Sequence, residues 1–161
     1  MTELSRSNIF EAGAAEIPEL FGDYIEAGGS EGDLLALVVY NQAPSAAARN
    51  AVDKSLAALG FSEGCCAYVS LAPLDPSIEG GDIPLDAQSL FLVVEGLDPL
   101  RVIATDQQAS DVLGSAYRCA IRPDSAARLF GRPSVLFRDL SQLVQSDDGK
   151  QKAWSLFKTL G

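Results

Sequence analysis

The 161-residue sequence contains no histidine. That absence removes the commonest general base, the commonest metal ligand and every Ser–His or Cys–His nucleophilic pair. Cysteine is scarce, with three residues at Cys65, Cys66 and Cys119. Adjacent Cys65 and Cys66 lack the spacing of a C-x-x-C metal site, and an odd number of thiols cannot complete a disulfide framework. They are expected to be reduced, buried small groups in a cytoplasmic protein. A reactive thiol is disfavoured, because no basic side chain lies close in sequence. Basic residues are also few, 12 against 22 acidic, for a formal charge of −10. DNA affinity rests largely on Lys and Arg neutralising phosphates, so weak or absent DNA binding is expected. The plain reading of the charge is solubility; the sharper one is an acidic surface that meets a basic protein partner. No apolar run is long enough to span a bilayer and no leader-like stretch opens the chain, so no membrane association is expected.

What the chain does have is a 47% apolar fraction, ample for one core at this length. Leu34 to Tyr40 is a continuous apolar run, the pattern of a strand covered on both faces of a parallel sheet. Ser45 can cap a helix in which Ala48, Val52, Leu56 and Leu59 share a face, stopped by Gly60. Cys66–Leu71 reads as a second strand. Pro84 can open a third helical stretch with Leu90, Phe91, Val94 and Leu97 inward, ended by Asp98-Pro99. Arg101–Thr105 is a third strand, and Asp106 can cap a helix closed near Gly114. Tyr117–Ile121 reads as a short strand and Asp124–Phe130 as a short helical segment. A turn at Gly131–Pro133 then leads to a strand at Val135–Phe137. Asp147 can cap a last helix that buries Ala153, Trp154, Phe157 and Leu160. Before all of these, Ile9–Ala27 reads as helical turns around Pro18, with Leu20, Phe21, Tyr24 and Ile25 on one face. Alternating strands and helices with short links predict a three-layer α/β/α sandwich on a mostly parallel sheet. Residues 1–33 would form an N-terminal helical segment packed on a domain at 34–161, a single domain overall.

The last quarter, from Val135 through Ser141 and Leu143 to Trp154, resembles the closing motif of the uracil-DNA glycosylase superfamily, above all its thermostable iron–sulfur type. There a strand runs into His-Pro-Ser-(Ala)-Leu-Leu, and a Lys/Arg-rich helix with a Trp follows. Further blocks keep the family's order. Asn41-Gln-Ala-Pro-Ser45 is similar to Gly-Glu-Ala-Pro-Gly, Ala51–Phe61 to the helix Leu-Leu-Asp-Lys-Met-Leu-Ala-Ala-Ile-Gly-Leu, and Tyr68–Leu71 to the strand Tyr-Ile-Thr-Asn. Asp98–Ala104 and Gln108–Gly114 resemble the next strand and helix. The resemblance implies a uracil-DNA glycosylase-like fold, and it also shows which chemistry is lost. Gln42 stands where the iron–sulfur branch has its Glu, and Ala43 where the classical branch has its water-activating Asp. Leu71 replaces the base-reading Asn, which removes a paired donor and acceptor. Asp139 replaces the His that stabilises the departing anion, and would set an anion against an anion. The four cluster cysteines have no counterparts, so no iron–sulfur cluster and no other cofactor or metal is expected.

The resemblance therefore implies a catalytically inactive binding or accessory module, with a remnant cleft at Asn41, Gln42, Pro44, Ser45, Leu71, Asp139 and Ser141. Its possible setting in DNA metabolism comes from ancestry alone. One alternative is a divergent DNA glycosylase with relocated catalysts, using Asp139 or Asp75. Another is an accessory subunit of a replication or repair complex. Two other clusters have plain readings. Glu79, Asp82 and Asp86 read as a solvated loop rather than a divalent-metal site. Arg118, Arg122, Arg128, Arg132 and Arg138 could line an old DNA-facing side, but read more simply as exposed partners of carboxylates.

Overall fold

A computed structural model of the chain describes residues 21–26, 34–61, 66–74 and 83–161. Five strands form one sheet: β1 (Ala36–Tyr40), β2 (Cys66–Ser70), β3 (Val102–Ala104), β4 (Ser125–Leu129) and β5 (Arg132–Leu136), in the order β2-β1-β3-β5-β4. The first four in that order run parallel, and β4 runs antiparallel to β5. Five α-helices can be traced among the described residues: α1 (Ala46–Ala58), α2 (Ala87–Leu97), α3 (Gln107–Tyr117), α4 (Leu140–Leu143) and α5 (Asp147–Phe157).

Side-chain alternation along the strands explains the layering. On β1, Leu37 and Val39 join a core with Leu90, Val93 and Val94 of α2 and Ala109 and Leu113 of α3. Ala36 and Val38 point the other way, to Val52 and Leu56 of α1 and Ala153 and Phe157 of α5. Every residue of β1 is buried, as the unbroken apolar run demands. The result is a mixed α/β fold with helices on both faces of a mostly parallel sheet.

Local chemistry sets most boundaries. Ser45 Oγ accepts the Ala48 amide at 3.1 Å to begin α1, and Gly60 follows its end at φ 92°. Asp86 and Asp106 cap α2 and α3 in the same way. Several expected boundaries are corrected. Pro84 lies outside α2, because the side chain that satisfies the first amides belongs to Asp86. Ser146, not Asp147, caps α5, with its Oγ 3.0 Å from the Gly149 amide. Helix α3 does not close at Gly114 but runs on to Tyr117, so the strand expected at Tyr117–Ile121 does not form. Gly114 serves as a buried helix position against which Ile121 packs, within 3.0 Å of where a Cβ would stand. The helical segment expected at Asp124–Phe130 is instead strand β4, and Arg132 and Pro133 belong to β5 rather than to a turn. The turn itself is Phe130-Gly131, both at positive φ, the geometry that joins tight hairpins.

In the described part of the N-terminal stretch Phe21 is helical and a 3₁₀ turn, Gly22–Tyr24, follows it. Ile25 is extended and bridges Val69 in antiparallel fashion, rather than continuing a helical face. The expectations for Ile9–Leu20, Cys65, Asp75, Glu79 and Asp82 lie outside the described residues. Cys66 and Cys119 are half-buried thiols.

Candidate functional site

From β1 the chain passes outward to β2 and then returns to β3 on the other side of β1. Such an order reversal opens a crevice at the carboxyl ends of the strands, where α/β proteins place their ligands. Three segments meet there. They are the Asn41–Ser45 loop after β1, Thr105-Asp106 after β3, and Arg138–Ser141 after β5. Four of the seven residues expected to form the cleft therefore lie on its first segment and two on its third.

Asp106 organises the crevice. Its Oδ1 accepts the Ala109 amide at 2.9 Å, which caps α3. Its Oδ2 accepts two successive amides across the crevice, Asn41 at 2.7 Å and Gln42 at 3.0 Å. Paired backbone amides of this kind form an anion-binding concavity. Here the anion seated in it is the protein's own carboxylate. Two further side chains are engaged likewise. Ser141 Oγ accepts the Ser45 amide at 2.9 Å, and Asp139 Oδ1 accepts the Gln142 amide at 3.1 Å as the cap of α4. Asp106 and Asp139 form an antiparallel bridge, and the Leu140 amide donates to the Thr105 carbonyl at 2.9 Å. The Thr105 hydroxyl is buried, with the residue 3% exposed, and has no hydrogen-bond partner among the described residues.

The expected site residues thus divide. Asn41, Gln42, Ala43, Ser45 and Asp139 are exposed at the crevice, Ser141 is half-buried, and Pro44 is buried beneath the loop. Leu71 is 1% exposed and belongs to the core shared with α2 and α3. Its backbone extends the sheet, donating to Tyr40 O at 2.8 Å and accepting from the Leu85 amide at 2.7 Å. Of the acidic loop trio, Asp86 is occupied as a helix cap. Arg132 is buried in an ion pair, Arg128 donates to the Gly131 carbonyl, and Arg118, Arg122 and Arg138 are exposed.

A second polar cluster escaped the sequence reading. Glu26 receives a two-pronged contact from Arg49, at 3.0 and 2.8 Å, and the Tyr40 hydroxyl donates to the same carboxylate. The Arg49 guanidinium lies over the Tyr68 ring, 4.5 Å from its centre. Glu26 is thereby tied to the C-terminal end of β1 and to α1. The Arg49 hydrogen bonds, helped by Tyr40, hold the Glu26 carboxyl below its ordinary value of 4.5. Burial, reinforced by the Glu26 charge, pushes the Tyr40 hydroxyl up to about 12. Glu26 stands ten residues before β1 begins, and no local sequence signal marks its contacts. A depressed carboxylate stabilises the fold above its unfolded pKa, and that stability is lost as pH falls through the lower, folded value. Glu26→Gln is therefore expected to lower the urea midpoint at neutral pH, with the gap from wild type closing as pH drops below 4.5. A gap of constant size across that range would show that the charge contributes nothing.

Together the sheet and its crevice define an α/β protein whose switch-point site is closed by internal hydrogen bonds. No protein-family model matches the chain, and comparison with the curated proteins finds no match either.

Proposed function

We propose that the chain is a catalytically inactive, uracil-DNA glycosylase-like protein that acts as a binding or accessory module. The supporting observation is the Asp106 carboxylate seated on the Asn41 and Gln42 amides. A base-excising site needs donors free to receive a departing anion and a group free to activate water. In this crevice the paired amides already hold an anion, Asp139 caps a helix, and Gln42 and Ala43 supply no carboxylate. The net charge of −10 argues in the same direction, since it opposes approach to a polyanion. A protein partner suits such a surface better than DNA.

The test is an excision assay on single- and double-stranded oligonucleotides carrying uracil, hypoxanthine or xanthine, with binding followed at two salt concentrations. No base release and no salt-sensitive binding are expected. Release that is abolished by Asp139→Ala would overturn the proposal and make the protein a glycosylase with rebuilt chemistry.

A further inference from the structure

On the sheet face away from α2 and α3, helices α1 and α5 do not close on each other fully. A groove of about 400 Å³ lies between them, within the range of small-molecule sites, roughly 300–1,000 Å³. The α1 wall is built mostly of short side chains, Ala47, Ala51 and Ala58 with Asn50 and Ser55 among them, and the opposite wall of Val144 and Trp154. Each helix brings one lysine to the groove, Lys54 from α1 and Lys150 from α5. Both are exposed. The four ion pairs among the described residues engage Arg49, Arg132 and Lys152, and neither groove lysine. In a chain of charge −10, these two lysines flank one groove, with Asp53 beside Lys54 in sequence and Asp147 and Asp148 in the first turn of the helix that carries Lys150.

An apolar trough with few polar groups at its margin is how proteins hold small amphipathic ligands. The apolar walls take a hydrocarbon or aromatic body, and the lysine heads take an acidic group while their stems cover its flank. We propose that the α1–α5 groove is a binding site for an amphipathic organic anion, a carboxylate or sulfonate on an apolar body. The site is separate from the crevice, so it stands whether or not the crevice acts on nucleic acid.

Trp154 is the single tryptophan of the chain, and it lines the groove, so its emission reports occupancy directly. The full-length protein is titrated with dodecanoate and with anilinonaphthalenesulfonate, and with dodecyltrimethylammonium as the cationic counterpart. Both anions are expected to change Trp154 emission saturably with one site per chain. The cation should do so at least about tenfold more weakly. Lys54→Glu/Lys150→Glu should weaken the anions by about tenfold or more, with circular dichroism unchanged because both side chains are exposed. Ala47→Leu, at an exposed position, should narrow the trough and weaken dodecanoate without altering any charge. The proposal is overturned if neither anion saturates, if the cation binds as well as dodecanoate, or if the charge reversal leaves anion binding unchanged.

Discussion

Gly149→Ala is expected to unfold the protein at a markedly lower temperature and denaturant concentration than wild type. A Cβ at this position would stand 1.7 Å from the Leu143 carbonyl oxygen and 2.8 Å from its carbon. Both are backbone atoms, so no side chain can swing aside. The residue is also held from the other side, since its amide donates to Ser146 Oγ. Relief requires the start of α5 to move off the end of α4, and α5 carries the buried Ala153 and Phe157. Overpacking of this kind costs about 1–3 kcal/mol, sometimes more, and backbone contact puts this case at about 3 kcal/mol or above. For a chain of this size that corresponds to a fall in Tm of roughly 6–12 °C. Gly131→Ala, where a Cβ meets nothing within 4 Å, is the control. It carries only the smaller cost of a positive φ, about 1 kcal/mol. Equal midpoints for the two variants would show that α5 slides freely on α4.

Arg132→Ala is the second change expected to have a large effect. The guanidinium donates to the Glu95 carboxylate, to Asp98 at 2.8 Å and to the Pro99 carbonyl at 2.7 Å. The Arg132 side chain is 12% exposed and that of Glu95 9%. Without the arginine, Glu95 keeps only the Tyr117 hydroxyl among the described residues, 3.1 Å away, and its charge stays buried without a cation beside it. Breaking one side of a buried pair costs about 3–5 kcal/mol, whereas replacing both partners by apolar residues is often neutral. Arg132→Met/Glu95→Leu should therefore recover most of the loss in urea unfolding. If the double variant is no more stable than Arg132→Ala, the cost lies in lost packing or lost contacts to Asp98 and Pro99, not in an orphaned charge.

The parts of this fold that could be read from sequence are those whose signals are local. The unbroken run at Leu34–Tyr40 announced a doubly covered strand, and Ser45, Asp106 and Gly60 marked helix ends at the residues that form them. The misread stretch, Tyr117–Pro133, is governed by contacts far away in sequence. Phe130 occupies a left-handed turn position, φ 53°, that Asn, Asp or Gly would ordinarily fill. Its ring packs edge-on against Phe91 and Tyr117, with centres 5.5 and 5.0 Å apart, and such contacts offset the strain. Gly131 marks a turn, but nothing next to Phe130 in sequence signals these ring contacts, so the strand before the turn reads as helical. Gly114 had the look of a helix stop because its packing against Ile121 is tertiary. The crevice was legible in position but not in wiring. Asp106 was identifiable as a cap, while its reach to amides 64 and 65 residues earlier has no local trace. The α1–α5 groove comes from a mismatch in size between two helix faces, which a single helix does not reveal.

The carboxylate of Asp106 also bears on how this molecule could change over generations. Its Oδ2 acts as a built-in acceptor for the amides of Asn41 and Gln42. Removal of that one side chain would vacate the seat and also take away the cap of α3. A receptor for an external anion and a sealed scaffold are then separated by one codon, and lineages could cross between the two without rebuilding the sheet.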